Sequence, residues 1–340
     1  MEANLIEREQ VLKSLEEVLV PGVRRSLSSL NLVRRVEVYD QKVGVYLAGA
    51  ALNQEAREWL KAKVQEMVRK VADVAEINVD FEEANPKDLN EIGSVIAVMS
   101  GKGGVGKSLV SALAAVSLAR AGFDVGILDA DITGPSVPKM FGIGERPEGG
   151  ESGLLPVLTR SGIEIMSINL LLPHEDDAVI WRGPLIAKAI TQFWEDVLWG
   201  RLDYLIVDLP PGTADAPLTV LQLLPVSGVI IVFSPQELAA MVVRKAIKMA
   251  QEAMHIPILG VVENMSYLVL PDTGKKIEVF GKSRAEEMAN LADAPLLAQI
   301  PIDPQLAQLC DEGKIERYQA DFLQGFGGAI IQAVKARTKQ

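Results

Sequence analysis

The chain has 340 residues, of which 49% are apolar and 23% charged, and a formal net charge of −11. That composition fits one large α/β domain plus a small one, and the negative balance argues against a nucleic-acid partner, since non-specific binding relies on neutralising phosphates with Lys and Arg. The single cysteine, Cys310, excludes an internal disulfide framework and fits a reducing compartment. No apolar run approaches the roughly 18 residues of a membrane helix, and no basic-then-apolar leader opens the chain, so the expectation is a cytoplasmic protein without stable membrane insertion.

In chain order, Val11, Leu12, Leu15 and Val18 sit at helical spacing. Val36 and Val38, then Val43, Val45 and Leu47, alternate on either side of Asp40-Gln41 and predict a hairpin. Leu60, Val64, Met67, Val68 and Val71 form a second helical stripe, and Ile77, Val79 and Phe81 alternate again. Residues 5–82 therefore read as a small α/β domain, and the polar stretch 83–93, with Pro86 inside, as a linker.

From 94 to 340 short β-branched runs alternate with helical segments. The runs are Val95–Met99, Val125–Leu128, Ile163–Met166, Tyr204–Val207, Val229–Phe233, Ile258–Val262 and Leu296–Ile300. Near-continuous apolar strands separated by helices predict a mostly parallel sheet covered by helices on both faces.

Gly101-Lys102-Gly103-Gly104-Val105-Gly106-Lys107-Ser108 fits the phosphate-loop pattern, between an apolar strand and an apolar helix. Glycines let successive backbone N–H groups turn inward around phosphates, and the helix N-terminus adds partial positive charge. In this P-loop NTPase reading Lys107 reaches the β- and γ-phosphates and Ser108 offers a hydroxyl to Mg²⁺. Asp129, Asp131 and Asp208 follow later strands, where ligands bind in open parallel sheets. Asp208 and Asp129 are expected at Mg²⁺ and Asp131 at the attacking water, although the sequence alone does not rank Asp129 against Asp131.

Lys102, at the second position of the loop, resembles the deviant P-loop ATPases of the MinD, ParA and nitrogenase iron-protein group. That resemblance implies a homodimer in which Lys102 reaches the partner's nucleotide. Asp129-Ala130-Asp131-Ile132-Thr133-Gly134-Pro135-Ser136, Trp181-Arg182-Gly183-Pro184, Trp199-Gly200, Asp208-Leu209-Pro210-Pro211-Gly212-Thr213 and Glu263-Asn264-Met265-Ser266 are similar to motifs of the Mrp/ApbC-type iron–sulfur cluster carriers. By resemblance the nucleotide is ATP, Asn264 contacts the adenine, the 5–82 domain is one that many family members carry, and apoproteins receive the cluster.

One departure stands against these agreements. The family carries a Cys-x-x-Cys pair shortly after Asn-Met-Ser, two subunits together supplying four thiolates, whereas the matching positions here hold Leu270 and Thr273. Neither offers a thiolate to iron, and Cys310 lies well beyond the pair, so the chain itself shows no identified cluster ligands. His174 and His255 are isolated, without metal-ligand spacing. A second reading is a MinD/ParA-type positioning switch, with the mildly basic, amphipathic segment Ile330–Arg337 as a surface-binding helix. The simpler role for that helix is to dock Ile330, Ile331 and Val334 on the sheet. A third reading is a regulator that binds ATP without meaningful turnover.

Overall fold

The computed structural model describes residues 7–71, 74–131, 134, 136–172, 183–213, 215–236 and 239–337. In chain order the elements are α1 Arg8–Leu15, β1 Val33–Tyr39, β2 Lys42–Ala48, α2 Gln54–Val71, β3 Glu76–Glu82, β4 Glu91–Ser100, α3 Lys107–Arg120, β5 Val125–Asp129 and α4 Val137–Phe141. The short strands β6 Gly149–Gly150, β7 Gly153–Leu154 and β8 Val157–Leu158 precede β9 Glu164–Ser167, α5 Gly183–Glu195, β10 Arg201–Asp208, α6 Asp215–Leu223, β11 Gly228–Phe233 and α7 Ala239–Ile247. The chain continues with β12 Ile258–Glu263, β13 Leu268–Val269, β14 Lys276–Ile277, α8 Ala285–Ala292, β15 Leu296–Gln299, α9 Pro304–Asp311 and α10 Asp321–Arg337. None of the described helices is long and apolar enough to cross a membrane.

The chain divides into two compact units. In the first, β1 and β2 pair antiparallel across Asp40-Gln41, with Asp40 in the left-handed region at φ 53°. β3 adds parallel to β2 after the crossover through α2. The alternation read from the sequence becomes a one-sided sheet: Val43, Val45, Leu47 and Val79 are buried, and α2 buries Ala56, Leu60, Val64, Met67 and Val68. This unit takes in more than residues 5–82, because Arg146–Val157 and Gln192–Leu202 belong to it as well. The stretch 83–93 is ordered, with a single 3-10 turn at Pro86–Asp88 before β4 starts at Glu91. The physical reason is visible at Trp199-Gly200. Trp199 is wholly buried and its Nε1 donates to the Phe193 carbonyl at 3.3 Å. Asn90 donates through Nδ2 to the Val197 carbonyl and accepts the Gly200 N–H through Oδ1. Gly200 has φ 60°, and a Cβ there would stand 2.6 Å from the Ser29 carbonyl oxygen.

The second unit is built on a sheet ordered β15-β12-β11-β4-β10-β5-β9-β8. Its central pairs β12–β11, β11–β4, β10–β5 and β5–β9 are parallel. Val98, Met99, Ile127, Leu128, Ile206, Val207, Ile231 and Val262 are all buried, as strands covered on both faces must be. In the β10–β5 register Asp208 lies opposite Asp129, so two carboxylates leave the sheet side by side. α10 packs against α3, β12 and β15, burying Leu323, Phe326, Ile330 and Ala333. Ile331 and Val334 are half-buried, which is the docking role expected for that helix.

Trp199→Ala is expected to cost about 3–5 kcal/mol, the usual penalty for emptying a core aromatic site. Urea unfolding followed by circular dichroism measures it, and a loss under about 1 kcal/mol would show that Trp199 does not anchor the first unit.

Candidate functional site

β4 ends at Ser100 and α3 begins at Lys107, and the glycine-rich loop spans the gap. Gly104 and Gly106 adopt φ 80° and 79°, a region that L side chains rarely enter. Gly101 is required for a different reason: a Cβ would stand 2.1 Å from Val242 Cγ1 and 2.6 Å from the Val242 carbonyl oxygen.

Lys107 is 5% exposed, and its Nζ lies 2.7 Å from Asp208 Oδ1 and 3.7 Å from Asp131 Oδ2. The Ser108 hydroxyl donates to Asp208 Oδ2 at 2.5 Å, and the Ser111 hydroxyl donates to Asp208 Oδ1 at 2.6 Å. Asp208 is fully buried, yet both of its oxygens are satisfied. The segment after it is tied back to β4, Leu209 N–H donating to the Val98 carbonyl and Gly212 N–H to the Ser100 carbonyl. Sequence reasoning missed Ser111. The signal was its place one helical turn after Lys107, whose carbonyl its hydroxyl also reaches at 3.1 Å.

Asp129 and Asp131 differ sharply in surroundings. Asp129 is fully buried and accepts from the Asp131 N–H at 3.2 Å, the Ser167 hydroxyl at 3.1 Å and the Val137 N–H at 3.4 Å. Burial, reinforced by the neighbouring Asp208 charge, holds the Asp129 carboxyl well above the usual carboxylate range, with Lys107 partly opposing. Asp131 faces Lys107 instead.

Lys102 donates through Nζ to Gln236 Oε1. Asn264 is 1% exposed and donates through Nδ2 to the Val105 carbonyl at 2.8 Å, so in this structure it braces the phosphate loop. The hairpin after it carries Leu270 and Thr273 in its turn, where Leu270 N–H donates to the Lys275 carbonyl and Thr273 Oγ1 accepts the Lys275 N–H. Among the described residues no three His, Cys, Asp or Glu side chains gather as a metal cage. Cys310 is half-buried near the end of α9. His174, Ile132, Thr133, Pro135, Trp181 and Arg182 lie outside the described residues, so the Trp181-Arg182-Gly183-Pro184 motif has no geometry here.

Fold and site together define a P-loop NTPase of nucleotide-binding type. Residues 91–331 match the ParA model described as NUBPL iron-transfer P-loop NTPase, and residues 8–79 match the model of an iron-sulfur cluster assembly protein. The chain belongs to the NUBPL iron-transfer P-loop NTPase family. It is 45% identical to an iron-sulfur cluster carrier protein of Clostridium perfringens, over 68% of this chain and 83% of that one. It is 39% identical to the protein of that name from Deinococcus radiodurans, over 89% and 87% of the two chains. Among solved structures, a nucleotide-binding protein from Archaeoglobus fulgidus in complex with ADP, in which cobalt was found, superposes with a TM-score of 0.62. It is 48% identical, with 69% of this chain and 92% of that one covered.

Burial, with a contribution from Asp311, pushes the Cys310 thiol up to about 11 from an ordinary 9.0. Reactivity follows the thiolate, so it should climb as pH rises toward that value. At pH 8 Cys310 is expected to react with a disulfide reagent about a hundredfold more slowly than an unperturbed thiol, the shift being two pH units. Labelling at the rate of a free peptide thiol would contradict this.

Proposed function

We propose that this chain binds ATP with Mg²⁺, hydrolyses it slowly, and works as a homodimer in assembling iron–sulfur clusters or passing them to apoproteins in the cytoplasm. The observation that carries the nucleotide half is the buried hub in which Lys107 and the Ser108 and Ser111 hydroxyls converge on Asp208. The donor set suits the group: Mg²⁺ takes hard oxygen ligands, commonly one or two protein side chains with phosphates and waters completing the shell. Ser108 and Asp208 are the residues that would hold it, with Asp129 as their neighbour. When bound, the ion neutralises charge on the phosphates and lowers the barrier to phosphoryl transfer.

The chain's own residues supply the rest. The loop 101–106 offers backbone N–H groups, and the start of α3 offers its partial positive charge. Lys107 exchanges part of its contact with Asp208 for the β- and γ-phosphates. Asp131 orients the attacking water, a role that suits it better than Asp129, whose oxygens are taken up by protein donors and whose carboxyl burial holds above the usual carboxylate range. Lys102, close to the surface on Gln236, is the residue that would reach the second subunit's nucleotide. Asn264, by resemblance, contacts the adenine while bracing the loop.

The cluster half rests on family membership and on the names of the relatives. Because Leu270 and Thr273 stand at the ligand positions, the cluster is proposed to be cargo held with ligands from outside the chain. The positioning-switch reading is less well supported, since the apolar side of α10 is spent on packing against α3, β12 and β15.

Lys107→Ala should weaken ATP binding about a hundredfold or more, the scale of losing one partner of a desolvated charge pair. Asp131→Asn should bind ATP like wild type and lose turnover by about a hundredfold. Binding by fluorescent-nucleotide titration and phosphate release on folded protein read the two. An Asp131→Asn variant with wild-type turnover would remove Asp131 from the mechanism.

A further inference from the structure

Glu263, the last residue of β12, is fully buried and surrounded by neutral donors. Its Oε2 accepts the Ser266 hydroxyl at 2.5 Å, the Ser283 hydroxyl at 2.7 Å and Gln299 Nε2 at 3.0 Å. Its Oε1 accepts the Arg284 backbone N–H at 2.7 Å. Ser266 opens, and Ser283-Arg284 closes, the excursion that contains β13, β14 and a continuously exposed stretch from Pro271 to Gly281. One carboxylate therefore holds both ends of the exposed hairpin.

The next residue, Asn264, sits against the phosphate loop. Besides its bond to the Val105 carbonyl, it lies so close that a Cβ on Gly106 would meet Asn264 Nδ2 at 2.1 Å. The turn between the two contacts is hydrogen-bonded at both ends: Asn264 N–H donates to the Phe233 carbonyl and Ser266 N–H to the Ile300 carbonyl. Met265 is held between them at φ 57°, a costly conformation for a residue with a side chain. Val105 and Gly106 thus contact Asn264, whose backbone continues directly from Glu263.

We propose that Glu263 is a positioning residue that makes the phosphate loop and the exposed hairpin move as one, so that nucleotide in the loop sets the hairpin's order. This rests on the ATP-binding reading above. By linkage, whatever binds the hairpin changes nucleotide affinity by the same factor that nucleotide changes its own. The hairpin bears Leu270 and Thr273, so the coupling joins the nucleotide site to an exposed surface of the chain.

The test is amide hydrogen exchange of residues 268–283 in the full chain, with and without Mg²⁺ and a non-hydrolysable ATP analogue, beside a fluorescent-ATP titration. Wild type is expected to change exchange over the hairpin by about fivefold or more on binding. Ser283→Ala, and Glu263→Gln with one acceptor oxygen fewer, should bind nucleotide within about threefold of wild type yet lose more than about half of that response; Ser283→Thr should restore it. A merely structural role would raise exchange equally with and without nucleotide and leave the response intact. That result, or a wild-type hairpin insensitive to bound nucleotide, would overturn the proposal. A wild type that binds no nucleotide would overturn both it and the reading beneath it.

Discussion

The buried pair between Lys107 and Asp208 is the interaction on which the second unit's site depends. Taking two ions out of water costs several kcal/mol each, and their attraction offsets this only where further hydrogen bonds complete the geometry. Here the Ser108 and Ser111 hydroxyls supply them, all three donors lying on the first turns of α3. The helix is thereby fixed to the end of β10, which in turn fixes where the glycine loop passes. The Lys107 ammonium is thereby desolvated and held against Asp208 beside the glycine loop.

The carboxylates of the second unit show how surroundings divide labour among identical groups. Asp208 lies against a cation, Asp129 is enclosed by protein donors and driven toward its protonated form, and Asp131 faces the lysine from further off. Glu263 is different again, a buried acid met by hydroxyls, an amide and a backbone N–H. The first three gather where the neighbouring strands β5 and β10 end. The fourth holds Ser266 to Ser283 and Arg284, the two ends of the exposed hairpin.

Much of this was legible in the sequence because burial on both faces leaves an unmistakable trace: Val95–Met99, Tyr204–Val207 and Val229–Phe233 are apolar throughout and all became central strands. Lys107 and Ser108 were legible from the glycine-loop pattern, and Asp208 because it stands where an apolar run stops. Ser111 was not, because its bond to Asp208 joins positions 97 residues apart, and its spacing from Lys107 alone does not reveal that partner. Nor was the contribution of 146–157 and 192–202 to the first unit, which rests on pairings between distant positions such as Asn90 with Val197. The hairpin β13–β14 has strands of two residues each, too short for alternation to register. The place of Glu263 depends on Ser283 and Gln299, which no local pattern links to it.

The phosphate-loop residues of the family are present in this chain, while its one cysteine leaves it short of the four thiolates that a cubane cluster commonly takes. Leu270 offers no ligand, Thr273 only a hydroxyl, and the one thiol is half-buried and resists ionisation. A four-iron cluster needs four ligands, commonly thiolates. The direct test is anaerobic reconstitution of the purified chain with iron and sulfide, desalting, then iron and sulfide assay with a visible spectrum. Iron near background and no cluster absorption after desalting are the expected result. About one four-iron cluster per dimer, retained through desalting, would contradict it.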